Sequence, residues 1–382
     1  MGRLIEELLE FQSVAVAYLR SEKELPMEEE LARRCATVEE VPRPGAPADL
    51  GRSIRLLKAL MRGDPMWVED WRVPAFRLRL RQLVERWRPD VTQFESHTVA
   101  QYVDEARGSI AILETQEPGA AAAKDRWQFS RGWRRPILAR DMRAWEVYER
   151  EILRKFTAVV CFTDLDRRNL LELQAAARVS VIPPRGPSMP ASRSVRMERE
   201  TTILFAGNFV HPPNVDAAIW LAEEIFPRVR TRHPTALLQL VGAGPPASVR
   251  RLAGPGVTVT GSVPDVAPFL EAATVVVAPL RIGGGIRIKM MDALVFGKPT
   301  VATRRAAEGL NVEDRRELLL ADDGESFALA IGALLSDPSL REILSANAQA
   351  WGVRFGMSGR VGSAYEQLYA SLAGPHSNRS NG

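Results

Sequence analysis

A glycine-rich turn that leads into two cationic residues is the part of this sequence best suited to bind an anion. The turn and the residues after it are Gly283, Gly284, Gly285, Ile286, Arg287 and Lys289. We predict a helix over 286–296, and a helix N-terminus binds anions through its free N–H groups and positive dipole end. The dipole disfavours cations there, and no acid occurs between positions 281 and 291 to offset them. The pattern indicates a multiply charged anion such as a diphosphate, with exposed cations tolerated at small cost as the alternative.

Asp292 follows Lys289 by three residues, so the two side chains can share one face of the predicted helix. A carboxylate at that position is able to accept hydrogen bonds from the diol of a ribose. A simple ion pair between Lys289 and Asp292 explains the same spacing equally well.

Two further glycine turns follow predicted strands in the same half of the chain. Gly207 follows a strand over 202–205, and Gly242 and Gly244 follow a strand over 236–241. Ligands of open α/β sheets bind beyond the carboxyl ends of the strands. Three such turns at one edge indicate a surface where the backbone approaches a ligand closely, although turn geometry alone also favours glycine.

The elements that must position these turns alternate between strand and helix. Over 201–357 the alternation predicts a doubly wound parallel sheet, with Asn214 capping one helix and Gly297 ending another. Residues 1–186 form a second α/β half that opens on a helix, so its first strand is apparently missing. Residues 187–200, rich in proline, serine and arginine without periodicity, are a predicted linker. A last helix over 358–372 precedes a tail, 373–382, that we expect to be disordered.

Composition excludes several classes of protein. The net charge of +4 and the lack of a recognisable module argue against nucleic-acid binding. No apolar run approaches the length of a membrane span, and two distant cysteines, Cys35 and Cys161, are typical of a cytoplasmic protein. The four histidines are scattered, so we expect no metal site. A P-loop, a well-placed GxGxxG motif and a nucleophile elbow are also absent from the sequence.

An arginine-rich segment over residues 76–88 has helical spacing of its apolar positions. An amphipathic helix packed on a sheet is one interpretation. Peripheral contact with an anionic membrane surface, on the inner face of the membrane, is the other.

The second half resembles the donor domain of the family 4 (group 1) glycosyltransferases, which have the GT-B fold. The residues that carry the resemblance are Phe205-Ala-Gly207-Asn-Phe209, Pro213-Asn214-Val-Asp216, Val241-Gly242-Ala-Gly244, Gly261-Ser-Val263-Pro-Asp265, Gly283-Gly-Gly-Ile-Arg287-Ile-Lys289, Asp292-Ala-Leu, Gly297-Lys-Pro299 and Glu308-Gly309-Leu310. The resemblance implies two Rossmann-like domains separated by a cleft. It also implies transfer of a sugar, with retention, from a nucleotide-diphosphate donor that acts as co-substrate, without a tightly bound cofactor or metal.

The resemblance also implies roles for individual residues. Arg287 and Lys289 match the positions that hold the diphosphate and stabilise it as the leaving group. The remaining donor contacts are expected at Gly207, Asn208, Gly242, Gly261, Val263, Gly283, Gly284, Gly285, Ile286 and Asp292. Two glutamates of the family signature fall on Gly284 and Asp292, so the expected ribose contact has a shorter side chain.

The acceptor is expected on the first half, in the assembly of a polysaccharide, a glycolipid or a glycosylated small molecule. Gln116 occupies the place where the family often has a histidine, and it cannot take a proton. His97 is a geometric substitute or an unrelated loop residue, and Glu95 is a further candidate. A non-catalytic nucleotide-sugar-binding homologue or partner subunit, or a transferase truncated at its start, is the alternative function. A nucleotide-sugar epimerase fits the transferase-specific segments less well.

Overall fold

The computed structural model describes residues 2–21, 24–43, 50–130, 132–184, 201–283, 288–354 and 360–373. The expected linker over 187–200, the tail from residue 374 and the segment Gly284, Gly285, Ile286 and Arg287 lie outside the described residues. The chain divides into two compact units, one of Met1–Arg185 with Gly359–Gly382 and one of Gly186–Ser358.

The described part of the first unit contains two parallel sheets, one of two strands and one of four. Its strands are β1 (Ala15–Arg20), β2 (Thr37–Pro42), β3 (Val91–Glu95), β4 (Ile110–Thr115), β5 (Ala158–Cys161) and β6 (Val179–Val181). Its helices, apart from the last, are α1 (Gly2–Leu8), α2 (Glu29–Arg34), α3 (Leu50–Arg62), α4 (Met66–Asp70), α5 (Pro74–Trp87), α6 (His97–Ala100), α7 (Gly119–Gln128), α8 (Arg134–Leu153) and α9 (Asp164–Leu173). The four strands β3 to β6 pair in chain order, and all pairs are parallel. Thr163 caps α9, because its hydroxyl accepts from Asp166 N at 3.0 Å.

The beginning of the first unit differs from the sequence-based expectation. After the opening helix α1, strand β1 pairs in parallel with β2, which the sequence analysis does not predict. Leu19 of β1 and Val41 of β2 are buried in the same core cluster as Phe94 of β3. The two-stranded sheet therefore extends the core of the unit.

The second unit contains one six-stranded parallel sheet. Its strands are β7 (Thr202–Ala206), β8 (Leu237–Val241), β9 (Val257–Gly261), β10 (Val275–Ala278), β11 (Thr300–Ala302) and β12 (Leu319–Leu320), in the order β12-β11-β10-β7-β8-β9. Its helices are α10 (Pro212–Trp220), α11 (Phe226–Arg232), α12 (Ala247–Arg250), α13 (Ala267–Ala272), α14 (Ile288–Val295), α15 (Arg304–Ala307), α16 (Gly324–Ser336) and α17 (Pro338–Arg354). The central strands are runs of buried apolar residues, as expected for a parallel sheet covered on both faces. The prediction of a doubly wound sheet is confirmed.

The last helix, α18 (Arg360–Ala373), packs on the first unit. The side chain of Tyr365 is buried and donates to Glu114 of β4. The N–H of Gly362 donates to Glu7 Oε2 of α1 at 2.7 Å, and Arg178 binds Ser371 at 3.0 Å. Polar contacts therefore tie the C-terminal helix to both the first helix and the sheet.

The arginine-rich helix α5 packs on the sheet, and this corrects the membrane interpretation of residues 76–88. Its apolar positions, Phe76, Leu80, Leu83 and Val84, are all buried. Arg77 and Arg81 form ion pairs with Glu105, and Arg86 pairs with Glu39. The face that would have to enter a lipid surface is already in the core. In the described ranges, no helix combines the length and apolar character needed to cross a membrane.

Helices α7 and α8 pack tightly because of a glycine at their contact. A Cβ atom on Gly119 would lie 2.2 Å from two ring carbons of Trp145, and this tryptophan is fully buried. Gly119 N and Ala120 N also donate to Glu149 of α8, at 3.0 and 2.9 Å. The first turn of α7 therefore needs a residue without a side chain.

We predict that Gly119→Ala lowers the free energy of unfolding by about 1–3 kcal/mol, because the added methyl overpacks the site. Denaturant unfolding of the full chain measures the loss. Gly254→Ala is the matched control, since a Cβ atom there meets no atom within 4 Å. Equal stability of the two variants would show that Trp145 moves aside freely.

Candidate functional site

The strand order of the second unit places a crevice where the direction of winding reverses. The chain winds one way through β7, β8 and β9 and the other way through β10, β11 and β12, so the switch point lies between β7 and β10. Ligands of such sheets bind at this point, beyond the carboxyl ends of the strands. Gly207 directly follows β7, and Gly283 follows β10 with a φ of +97°.

Backbone hydrogen bonds join the turns that follow the three strands of one half-sheet. Gly207 N donates to Val241 O at 2.9 Å, and Phe209 N donates to Ala243 O at 2.8 Å. Gly242 N donates to Gly261 O at 3.1 Å. The sequence analysis selected these turns separately, and the structure makes them one continuous surface.

Glycine is required at Gly242 by the close approach of two backbones. Its φ is +147°, and a Cβ atom there would lie 1.9 Å from the carbonyl oxygen of Gly207. At Gly207 an added Cβ atom would lie 3.2 Å from Nζ of Lys289. The turns are therefore stacked directly beside the cationic head of Lys289.

Lys289 of α14 is held at the end of β7. Its ammonium group donates to Oδ1 of Asn214 and lies 4.9 Å from the centre of the Phe205 ring, a distance at which the ring face attracts a cation. The amide nitrogen of Asn214 donates to Asn208 O at 2.7 Å. This bond orients the amide so that its oxygen faces the lysine.

Asn214 is a site residue that the sequence analysis assigned a different role. The prediction that Asn214 caps a helix is wrong, because α10 begins at Pro212 after His211 and its first turn contains Asn214. The side chain bonds to the Gly207 turn instead of to the helix backbone. The signal in the sequence was an amide side chain a few residues after a strand-ending glycine.

Asp292 and Lys289 line the same narrow crevice between the ends of β7 and β10. Ala206 and Ala278, the last residues of those strands, line it as well. The side chain of Val263 packs against the cluster around Leu270 and Ala293, so its backbone is the part left to face a ligand. The structure thus brings Gly207, Asn208, Lys289 and Asp292 to one place.

An ion pair fixes the segment that leads from β10 into the glycine-rich turn. Arg281 binds Asp216 of α10 through two hydrogen bonds, of 3.0 and 2.7 Å, and its guanidinium lies 4.8 Å from the centre of the Trp220 ring. Both partners are partly exposed, so the pair contributes to position more than to stability. The sequence analysis did not single out either residue as functional.

In the first unit, two carboxylates face each other at the carboxyl ends of β3 and β4. Glu95 and Glu114 are register partners, and Gln93 Nε2 donates to Glu95 Oε1 at 2.6 Å. Burial and the neighbouring Glu114 carboxylate raise the pKa of Glu95 well above its ordinary value. Tyr365 donates to Glu114, so the pair is a polar cluster covered by α18.

His97 lies in a different environment from the exposed loop that its position after a strand suggested. It is the buried first residue of α6, with Nε2 2.5 Å from Glu149 Oε1 and Nδ1 3.1 Å from Thr115 Oγ1. Gln116, directly after β4, is exposed. Among the described residues, no group of three or more histidine, cysteine, aspartate or glutamate side chains is arranged to hold a metal.

A family model supports the resemblance read from the sequence. Residues 200–337 match the family described as glycosyl transferases group 1, which covers most of the second unit. The match includes each turn of the crevice described above. Comparison with curated proteins gives no significant match.

Solved structures resemble the whole chain. Sucrose-phosphate synthase from Thermosynechococcus elongatus superposes with a TM-score of 0.72 at 17% identity, over 97% of this chain and 92% of that one. HepE from Anabaena, in complex with UDP and glucose, gives 0.65 at 13%, over 96% and 95%. An E. coli structure described as trehalose-6-phosphate bound with UDP-2-fluoro glucose gives 0.65 at 11%, over 97% and 95%. The chain has the GT-B fold, as the resemblance implied.

The buried pair of carboxylates predicts a dependence of stability on pH. Because the folded state raises the pKa of Glu95, the proton it retains stabilises the fold at low pH. This contribution is lost as the pH rises above 4.5 and through the raised value. We expect Glu95→Gln to be more stable than the wild type at pH 8 and within about 0.5 kcal/mol of it at pH 4.

Denaturant unfolding across this pH range tests the prediction. Glu85→Gln, which changes an exposed glutamate of α5, is the control and leaves the wild-type profile unchanged. A wild-type profile in Glu95→Gln as well would mean that folding does not raise the pKa of Glu95.

Proposed function

We propose that this protein is a glycosyltransferase that moves a sugar, with retention of its anomeric configuration, from a nucleotide-diphosphate donor to an acceptor. The observation that carries the proposal is the position of Lys289, beside Gly207 and Asn214 at the switch point of a segment that matches the group 1 family. A cation at the start of a helix, close to backbone turns without side chains, suits a diphosphate.

The proposed role of the cationic residues follows from the charge that develops on the leaving group. When the bond between the sugar and the diphosphate breaks, negative charge develops on the diphosphate oxygens. Lys289, and Arg287 from the sequence, stabilise that charge more strongly than they stabilise the intact donor, and such differential stabilisation accelerates the reaction. Asn214 acts as a positioning residue, because its fixed amide oxygen directs the ammonium group toward the Gly207 turn.

The rest of the donor binds along the surface made by the joined turns. The backbone over 261–263 contacts the base, Asn208 and Gly242 border the donor, and Asp292 accepts hydrogen bonds from the ribose diol. The crevice that Asp292 shares with Lys289 supports this assignment. Because two of the neighbouring structures contain UDP or a UDP sugar, UDP sugars are the first donors to test.

The acceptor binds to the first unit, and its class is a polysaccharide, a glycolipid or a small molecule made in the cytoplasm. Glu95, the last residue of β3, and Gln116, directly after β4, are the candidates for contacts with it. His97 is a weaker candidate, because both of its ring nitrogens already face Glu149 and Thr115 in the interior.

A non-catalytic nucleotide-sugar-binding subunit is the second candidate function. The exposed amide of Gln116, at a place where the family often has a histidine, favours it, because the glutamine cannot accept a proton. The two functions share the donor site and differ in turnover.

We predict that Lys289→Ala lowers kcat/KM by about 30- to 1000-fold, equivalent to about 2–4 kcal/mol of lost transition-state stabilisation. Arg287→Ala is expected to cause a loss of the same order. Steady-state kinetics with the best donor measure both. Arg228→Ala removes an equal charge from α11, where the arginine pairs with Glu224, and is the control. Unchanged kcat/KM in both site variants would refute the diphosphate assignment.

A panel of UDP, GDP and ADP sugars tests the proposed activity itself. We expect transfer or slow donor hydrolysis with one nucleotide class, and NMR of the first-formed product to show the donor's anomeric configuration. Binding measured by calorimetry without turnover would favour the non-catalytic subunit, whereas a product of inverted configuration would contradict retention. If the protein neither binds nor turns over any of these donors, both functions are overturned.

A further inference from the structure

We propose that the surface formed by α3 and the N-terminal end of α8 binds the surface of an anionic lipid bilayer. We call this surface the α3–α8 face, and it comprises residues 50–62, 126–130 and 132–140. It lies wholly within the first unit and is separate from α5, for which membrane contact was one of two interpretations of the sequence. It does not depend on the donor site of the second unit.

The first component of the face is an apolar stripe along α3. Ile54, Leu57 and Met61 recur at helical spacing and are all exposed, Leu57 to 57% and Met61 to 66%. Ala59, on the opposite side, is fully buried. A helix of a globular protein normally turns its apolar stripe toward the core, whereas α3 exposes its stripe to solvent.

Cations flank this stripe, and acids are absent from the helix. The segment 50–62 contains four cationic residues and neither aspartate nor glutamate. Arg52 and Arg62 neutralise neighbouring acids, Asp70 and Glu69. In the part of the chain that the structure describes, Arg55 and Lys58 have no ion pair, and both are exposed. Their charge is available to a ligand.

The second component of the face is the segment that leads into α8, which also combines cationic residues with exposed apolar ones. The described residues 126–130 and 132–140 contain four arginines and no acid. Within this segment Phe129 is exposed and Trp133 is 73% exposed, an unusual exposure for the largest aromatic side chain. The guanidinium of Arg134 lies 5.3 Å from the centre of the Trp133 ring. Tryptophan next to arginine is typical of a protein surface at the level of lipid headgroups.

The two components are continuous. Arg140 of α8 donates to the carbonyls of Leu60 and Met61 at the end of α3, at 2.6 and 3.2 Å. Trp133 precedes Arg140 by seven residues, which is about two helical turns or roughly 10 Å, on the same side of α8. The exposed tryptophan therefore lies close to the C-terminal end of the apolar stripe.

A lipid surface fits this combination better than a nucleic acid does. Aliphatic side chains in a stripe gain free energy by entering the acyl boundary of a bilayer, while the flanking cations remain among anionic headgroups. Nucleic acid would use the cations and leave Leu57 and Met61 in water. Helix α5 shows the contrast, because four of its apolar positions are buried and its exposed face, which carries Leu78, is otherwise mostly polar.

The test is sedimentation of the full chain with vesicles of phosphatidylcholine alone and of phosphatidylcholine mixed with phosphatidylglycerol. We expect binding to the mixed vesicles, weakened by salt, and little binding to the neutral ones. The double variant Leu57→Asp/Met61→Asp is expected to lower the partition coefficient about 10-fold or more, because it places charge in the stripe. Leu78→Asp on α5 is the matched control, since Leu78 is 56% exposed, and it should bind as the wild type does.

A second variant keeps the proposal falsifiable if the first fails to fold, as judged by circular dichroism. Arg55→Ser/Lys58→Ser retains the apolar stripe and should lose most of the preference for anionic vesicles. Full vesicle binding by either folded double variant would overturn the proposal. So would a wild-type protein that binds neither kind of vesicle, or one that binds duplex DNA through the same four residues in preference to lipid.

Discussion

The backbones of Gly207 and Gly242 approach so closely at the end of the second sheet that a side chain at Gly242 would clash with the carbonyl of Gly207. This contact fixes the paths of the chain after β7 and β8, and the bond from Gly242 to Gly261 extends the arrangement to β9. Because Gly207 has no side chain, its backbone lies directly beside the ammonium group of Lys289. The other features of the donor site depend on that shared edge.

Electrostatics supports the proposal that this edge binds an anion. A cation near the N-terminus of α14 opposes the helix dipole, and the interaction becomes favourable when an anion bridges the two. Asn214 and the Phe205 ring hold the ammonium in place before any ligand arrives. A pre-positioned charge needs no reorganisation when negative charge develops on a leaving diphosphate. Among the described residues of the first unit, the ends of β3 and β4 carry carboxylates, Glu95 and Glu114, in place of a cation.

Much of this could be predicted from the sequence because glycines after strands, and helix starts after glycines, are local signals. The alternation of strands and helices in the second half and the place of Lys289 at the start of a helix follow from such signals, whereas the GT-B fold was implied by the resemblance to a family. The role of Asn214 could not be predicted in this way, since its partner Lys289 lies far along the chain and only folding brings the two together. Strand β2 was missed because its two consecutive acids, Glu39 and Glu40, resemble a polar loop. Periodicity identified α5 as amphipathic, but only the packed structure shows which helix leaves its apolar stripe exposed.

Hydrogen–deuterium exchange of the full chain, with and without a saturating nucleoside diphosphate, tests the central claim most directly. With UDP or GDP as the probe, we expect slower exchange in peptides that contain the turns at Gly207, Gly242 and Gly261 and the start of α14, and no change in peptides of β3 and β4. Slower exchange confined to the first unit, or none anywhere with any nucleotide that calorimetry shows to bind, would contradict a diphosphate site at the switch point.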